Sequence, residues 1–155
     1  MGNAPMDRVK LIGAVHIFLI RSNQVLLLRR FNTGYQDGHY SVPAGHMQSS
    51  ESVKVAMMRE AYEECGIRIA SEQLEVVGVM HRQSSEARID FFLAATRWDG
   101  EIINREPNKC DELIWCKFRE LPPNTIAYVG RALQNYQRGQ WFDEVDESHA
   151  RDVPG

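Results

Sequence analysis

Apolar positions crowd into two runs near the start of the chain, LIGAVHIFLI (11–20) and VLLL (25–28), separated by the polar RSNQ. Unbroken Val, Ile and Leu with no polar face predicts strands covered on both sides, over 9–20 and 25–30. FNTGYQDGH has two glycines and no hydrophobic period, which predicts a loop. YSVP predicts a short strand stopped by Pro43, and AGHMQSS a second loop. A helix follows over about 50–65, with Ser49 or Ser50 as N-cap, Glu51 in the first turn and Gly66 as the C-cap glycine. Further strands are predicted over 74–81, 88–97 and 112–118, the last two separated by the turn WDGE. Beyond Pro122-Pro123, Asn124 is placed to cap a second helix reaching about residue 138, with Ile126, Val129, Leu133 and Tyr136 on one face. A mixed sheet with one early and one late helix predicts an α+β chain, an α/β/α sandwich with a helix layer on each face.

The 155 residues fit one domain, over 9–139, between a disordered tail over 1–8 and an acidic, mobile tail over 140–155. Arg8 and Lys10 before the first apolar run imitate a secretory signal. His16 interrupts that run, no small-residue cleavage site follows, and ten residues are too few to span a bilayer. No membrane partner is therefore expected. A net charge of −3 argues against a duplex nucleic-acid binder, which carries a basic face. Three cysteines, an odd number without a CxxC pair, exclude a disulfide framework and point to a reducing, cytoplasmic setting. Cys110 and Cys116 lack zinc-ligand spacing.

The first helix carries the most information. At 100° per residue, Val55, Met58, Tyr62 and Cys65 form an apolar stripe, and Glu60, Glu63 and Glu64 gather on the opposite side. Arg59 lies between and can neutralise only part of that charge. A solvated helix face explains three clustered glutamates, because Glu is a good helix former. A divalent-cation site explains them too, since hard cations take oxygen ligands from adjacent helical turns. Gly45, in the turn before the helix, lets the backbone come close to an ion or a phosphate.

Residues 45–67 resemble the Nudix box, G-x5-E-x7-R-E-U-x-E-E-x-G-U with U aliphatic. Gly45, Glu51, Arg59, Glu60, Ala61, Glu63, Glu64, Gly66 and Ile67 occupy its positions at the right spacing. The likeness extends over 9–138, through the short strand ending in Pro43 and the Trp-bearing strand followed by LP. One departure is PAGH, with Ala44 where many members have glycine.

The resemblance implies hydrolysis of a nucleoside diphosphate linked to another group, with Mg²⁺ or Mn²⁺. Carried over residue by residue, Glu60, Glu63 and Glu64 are metal ligands with the Gly45 carbonyl. One glutamate acts on the attacking water, and Arg59 orients Glu63 or Glu51. Members of the family often draw a further carboxylate from a loop, for which Asp111 and Glu112 are the candidates, Glu112 preferred; both also fit as solvated loop acids. Arg29, Arg30, Tyr35, Tyr40, His46 and Asn124 are candidate substrate contacts, and His81 and Arg82 are placed to line the cleft. Two signatures are missing. No proline follows the box at the spacing common in ADP-ribose hydrolases, and the NADH-cleaving SQPWPFPxS is absent. By elimination a MutT-like nucleoside triphosphate pyrophosphohydrolase leads. A nucleotide-sugar or dinucleoside-polyphosphate hydrolase and a non-catalytic nucleotide-binding domain are the alternatives. The partner expected is a small nucleotide, on a monomer or homodimer.

Overall fold

The computed structural model describes residues 6–148. Strand β1 (Ile12–Arg21) turns through Ser22-Asn23 into β2 (Gln24–Arg30). The two pair only beside the turn, Ile20 with Val25 and Arg21 with Gln24, and then diverge. Chain from the next segment fills the wedge between them. Strand β3 (Tyr40–Ser41) pairs with β2, and β4 (Ala44–His46) pairs antiparallel with β1. The sequence reading had left 44–46 in a loop. They form a strand because the first half of β1, released from β2, offers an open edge.

The remaining strands are β5 (Glu75–Gln83), β6 (Ala87–Ala95), β7 (Cys110–Lys117) and β8 (Phe142–Asp146). The main path runs β3-β2-β1-β6-β5-β8, with β4 on β1 and β7 on β2. Pairings β1–β6 and β5–β8 are parallel and the others antiparallel, so the sheet is mixed. Helix α1 (Val53–Cys65) covers one face and α2 (Ala127–Arg138) the other, which is the α/β/α layering of the α+β class. Alternation along β1 sends Val15, Ile17 and Leu19 toward α1, and His16 and Phe18 toward α2. A strand buried on both faces needs apolar residues at every position, hence the unbroken run.

Segment 140–155 is not simply a mobile tail. Phe142–Asp146 is the edge strand β8, clasped by α2: Arg131 donates to Asp143 at 2.6 and 2.8 Å, and Asn135 at 2.7 Å. Aspartates that read as solvated acid are recruited by side chains one helical turn apart on α2. Residues 149–155 and 1–5 lie outside those described. Helix boundaries also move. The N-cap of α1 is Ser52, which accepts from the Val55 N–H, and Glu51 lies before the helix. Gly66 ends it with φ +72. Asn124 does not cap α2, which starts after Ile126; its side chain instead donates to the Gly38 carbonyl at 2.8 Å.

The apolar stripe of α1 differs from the one expected. Ala56, Met57, Ala61 and Cys65 are buried, whereas Val55 and Tyr62 are 47% and 40% exposed. Small side chains on the buried face let the helix lie close to the sheet, which brings its glutamates to strand β4.

A polar cluster is sealed under α2. Asp90, fully buried, accepts from Arg82 at 2.9 Å, and the Arg82 guanidinium lies 3.7 Å from the centroid of the Tyr128 ring. Arg82 therefore belongs to this cluster, not to a cleft. His16 shares a 3.1 Å hydrogen bond with the Tyr128 hydroxyl. Burial lowers the His16 pKa to about 4 from 6.5, against the opposing pull of Asp90. Between those values the unfolded chain binds a proton that the folded chain refuses, so stability falls as pH drops from 6.5 to about 4. The loss at the acid end is on the order of 3 kcal/mol for this group. Urea unfolding at pH 7.5 and 4.5 measures it, and His16→Gln, which cannot titrate, should flatten the difference.

Candidate active site

The site is built where β4 meets α1. Hydrogen bonds from Ile17 N–H to the Pro43 carbonyl and from Met47 N–H to the Gly13 carbonyl set the phase of the β1–β4 ladder. Between them, Val15 and Gly45 form the pair that exchanges backbone bonds. The backbone groups of Ala44 and His46 therefore point outward, toward α1. Two contacts agree: the Ala44 N–H donates to Glu64 Oε2 at 3.0 Å, and Arg59 Nη2 donates to the His46 carbonyl at 3.1 Å. The Gly45 carbonyl named from the sequence is thus engaged with Val15, and the outward-facing carbonyl beside the glutamates is that of Ala44. Gly45 serves differently. A Cβ at that position would fall inside the Glu60 carboxylate. Only glycine lets Glu60 lie flat on the strand.

Arg59 organises the acids. Its Nε and Nη2 hold Glu51 at 2.7 and 2.9 Å, and Nη1 donates to Glu60 at 2.8 Å and to Glu63 at 3.4 Å. The guanidinium, seconded by the Gln48 N–H, holds the Glu51 carboxyl down at about 2. Glu51 is thereby an anchor for Arg59. Glu60 has 13% of its side chain exposed and Glu63 51%. Burial raises the pKa of Glu60, with Arg59 opposing. Glu64 is half-buried and its pKa is raised well above the ordinary range, first by desolvation and then by the charges of Glu60 and Glu106, with Arg30 opposing. The Ala44 N–H is its one hydrogen-bond partner among the described residues.

Glu64 opens into a cleft of about 350 Å³ on the α1 side of the sheet, lined also by Arg30, Thr33, Glu106 and Lys109. Arg30 is braced by the 31–38 loop: Nε donates to the Tyr35 carbonyl at 2.7 Å and Nη2 to Thr33 Oγ1 at 3.0 Å. That loop closes on Asp37, which accepts from the Thr33 and Gly34 N–H groups. Tyr35 is 48% exposed, beside the Arg30 guanidinium.

Other predicted residues are elsewhere. Arg29 points to the opposite side of β2, where it meets Asp111 at 2.7 Å and Glu112 at 3.3 Å. Glu112 is thus tied up away from the cleft, because strand alternation puts it on the other face from Leu113, which lines the cleft. Tyr40 is 8% exposed and has no free face for stacking. Asn124 is occupied by Gly38. His46 is exposed beside β4, and His81 is half-buried on β5. The loop carboxylate that does face the glutamates is Glu106, which the sequence reading passed over. It lies in NREPNKC, before β7; the proline there was an available signal that the loop bends back.

The donor set beside Glu64 is all oxygen: the Glu60 and Glu64 carboxylates and the Ala44 carbonyl. A half-buried carboxylate that has no ion pair among the described residues, next to a second one, fits a hard divalent cation. Among the described residues, no three His, Cys, Asp or Glu side chains close on one point as a finished cage. Glu63 turns outward onto Arg59, which accounts for this. Mg²⁺ suits such a partial set because it keeps several waters and uses only one or two carboxylates.

Known proteins agree with this frame. A 114-residue stretch is 29% identical to the NAD-capped RNA hydrolase NudC of Pseudomonas aeruginosa, covering 74% of this chain and 39% of that one. The chain thus spans about two fifths of the length of that relative. The 8-oxo-dGTP diphosphatase of Proteus vulgaris is 26% identical over 101 residues, 65% of this chain and 89% of that one. A MutT NUDIX hydrolase from Burkholderia pseudomallei superposes with a TM-score of 0.74 at 23% identity, covering 81% of this chain and 97% of that one, and supports the fold. The family model described as NUDIX domain matches residues 10–136, and with the box geometry just described the chain belongs to the Nudix hydrolase family.

Proposed function

We propose that the protein hydrolyses a pyrophosphate bond in a nucleoside diphosphate linked to a further group, with Mg²⁺ or Mn²⁺, and that its substrates are nucleoside triphosphates of either sugar, as for MutT. The observation that carries this is the pair of half-buried α1 carboxylates set against β4: Glu60 seated on Gly45, and Glu64 on the Ala44 N–H. Glu64 forms no ion pair among the described residues, with Arg30 acting on it only from across the cleft, and a cation shared with a phosphate would supply one.

In this reading Glu60, Glu64 and the Ala44 carbonyl hold the metal. When bound, it neutralises phosphate oxygens and acidifies water. The chain's own residues do the rest. Arg59, itself anchored by Glu51, keeps the Glu60 carboxylate against the strand. Glu63 adds negative charge at the rim and is a ligand only if it turns away from Arg59. Glu106 faces the same point from its loop and accepts the proton of the attacking water; it takes the place of the further loop carboxylate, base or ligand, for which Asp111 and Glu112 are the sequence candidates. Arg30 and Lys109 present positive charge across the cleft to the phosphate chain. Tyr35, exposed beside the Arg30 guanidinium, is available to a nucleobase.

The test is a turnover screen over nucleoside triphosphates, 8-oxo-dGTP, NAD, ADP-ribose, nucleotide sugars and dinucleoside polyphosphates, with and without Mg²⁺. Metal-dependent release of nucleoside monophosphate and pyrophosphate from triphosphates supports the reading. Binding without turnover on every substrate refutes it. Glu64→Gln should abolish turnover and also raise the melting temperature of the metal-free protein, because it removes one of two adjacent, partly desolvated carboxylates. Glu106→Gln should lower kcat by about a hundredfold or more with little change in KM. Glu112→Gln should leave kcat within about threefold, since its carboxylate meets an exposed arginine on the far face. Equal losses in the last two would put the base back on Glu112.

A further inference from the structure

Strand β4 also presents a second, cationic feature on the side of the sheet away from α1. Paired residues in a ladder point to the same side, so His46 (opposite Ala14) shares the α2 side with His16 (opposite Ala44). Arg88, two residues before buried Asp90 on β6, points that way too. Arg88 Nη1 and His46 Nε2 lie 3.4 Å apart.

Two nitrogen side chains meeting this way leave the guanidinium without an anion. Arg88 is half-buried and has no carboxylate within 4 Å among the described residues. The acids that could serve it are already taken. Asp90 is bound to Arg82 at 2.9 Å, and Glu147 approaches Arg82 at 3.7 Å. Arg88 and Arg82 are moreover direct partners in the β5–β6 ladder, so two guanidinium stems share this end of the sheet. Taking a guanidinium even partly out of water favours a partner. Among the described residues no acid is left for Arg88, and an anion from solution can take that place.

The position says which anion. His46 lies two strand residues past Ala44, roughly 7 Å along β4. A phosphate chain anchored at the Ala44 carbonyl and Glu64 reaches the His46 side chain by passing over the end of β4, from the α1 side of the sheet to the α2 side. We infer that Arg88 and His46 form a binding site for a further phosphoryl group of the substrate, beyond the pyrophosphate bond that is cut. Such a site favours substrates with three or more phosphates over those with two, such as nucleotide sugars and ADP-ribose. The inference rests on the proposed function for the identity of the substrate, but not for the existence of the anion site.

Two measurements separate these. Calorimetric titration of inorganic tripolyphosphate and pyrophosphate, with EDTA present, reads the site without metal or turnover. Wild type should bind tripolyphosphate, and Arg88→Gln should weaken it by about tenfold, the worth of one charge-assisted hydrogen bond. Arg88→Lys, which keeps the charge but not the fork, should recover part of it. His46→Gln should weaken it in the same direction. Equal affinity in wild type and Arg88→Gln, at unchanged melting temperature, overturns the site. In turnover assays, the ratio of kcat/KM for a triphosphate over that for a nucleotide sugar should drop about tenfold in Arg88→Gln. An unchanged ratio overturns the link to substrate choice. If wild type cuts no nucleotide, the proposed function fails while the tripolyphosphate titration still decides the site.

Discussion

Everything at this site follows from holding two carboxylates, Glu60 and Glu64, partly withdrawn from water on adjacent turns of one helix. Neither burial nor proximity favours that arrangement, and both carboxyl groups respond by holding their protons more tightly. The strand they rest on makes it possible. One edge of β4 is satisfied by β1, and its other edge offers a backbone N–H to Glu64 and carbonyls to whatever cation comes near. Arg59 is the guanidinium paired directly with these acids, and it is divided among Glu51, Glu60 and Glu63. Glu64 is left outside that division, which makes it the group most in need of a cation.

The sheet is shaped around this constraint. Because β1 and β2 pair only beside their turn, a wedge opens in which β3 and β4 can sit, each on a different parent strand. The wedge exposes the β4 edge to α1 and the β4 side chains to the α2 side. A rigid strand thus presents backbone to Glu60 and Glu64 on one side and His46 to Arg88 on the other. The flanking groups that vary the chemistry, Arg30 with the 31–38 loop and Glu106 before β7, come from connections braced by their own hydrogen bonds. Such a division of labour, fixed acids on secondary structure and adaptable contacts on loops, suits a family that cuts one kind of bond in many substrates.

Reading the helix without the sheet went wrong in an instructive way. Periodicity proposed Val55, Met58, Tyr62 and Cys65 as the packed stripe, yet the helix lies on Ala56, Met57, Ala61 and Cys65. Tyr62 is instead outside, near the Arg68 and Arg105 guanidiniums. Hydrophobicity ranks valine and tyrosine above alanine, but close approach to a strand selects for small volume. The same limit governed Asp111 and Glu112, whose place beside the Trp115 strand was clear and whose side of that strand was not. One residue of register decides whether a carboxylate enters the cleft or meets Arg29. Acidic β8 was read as tail because charge alone does not reveal a partner on α2.

What the sequence determined by itself was everything set by local spacing: the two buried strands, a helix ended by Gly66, the Nudix box, and with them the layered fold and the acidic character of α1. These depend on contacts between residues near one another in the chain. Tertiary structure alone decided which carbonyl faces the glutamates, that Gly45 is present to make room for Glu60, that Glu106 and not Glu112 reaches the cleft, and that Arg88 is left without an acid. Each of those depends on ladder phase or strand facing between segments far apart in sequence. A shift of one residue reverses them without altering composition or local pattern.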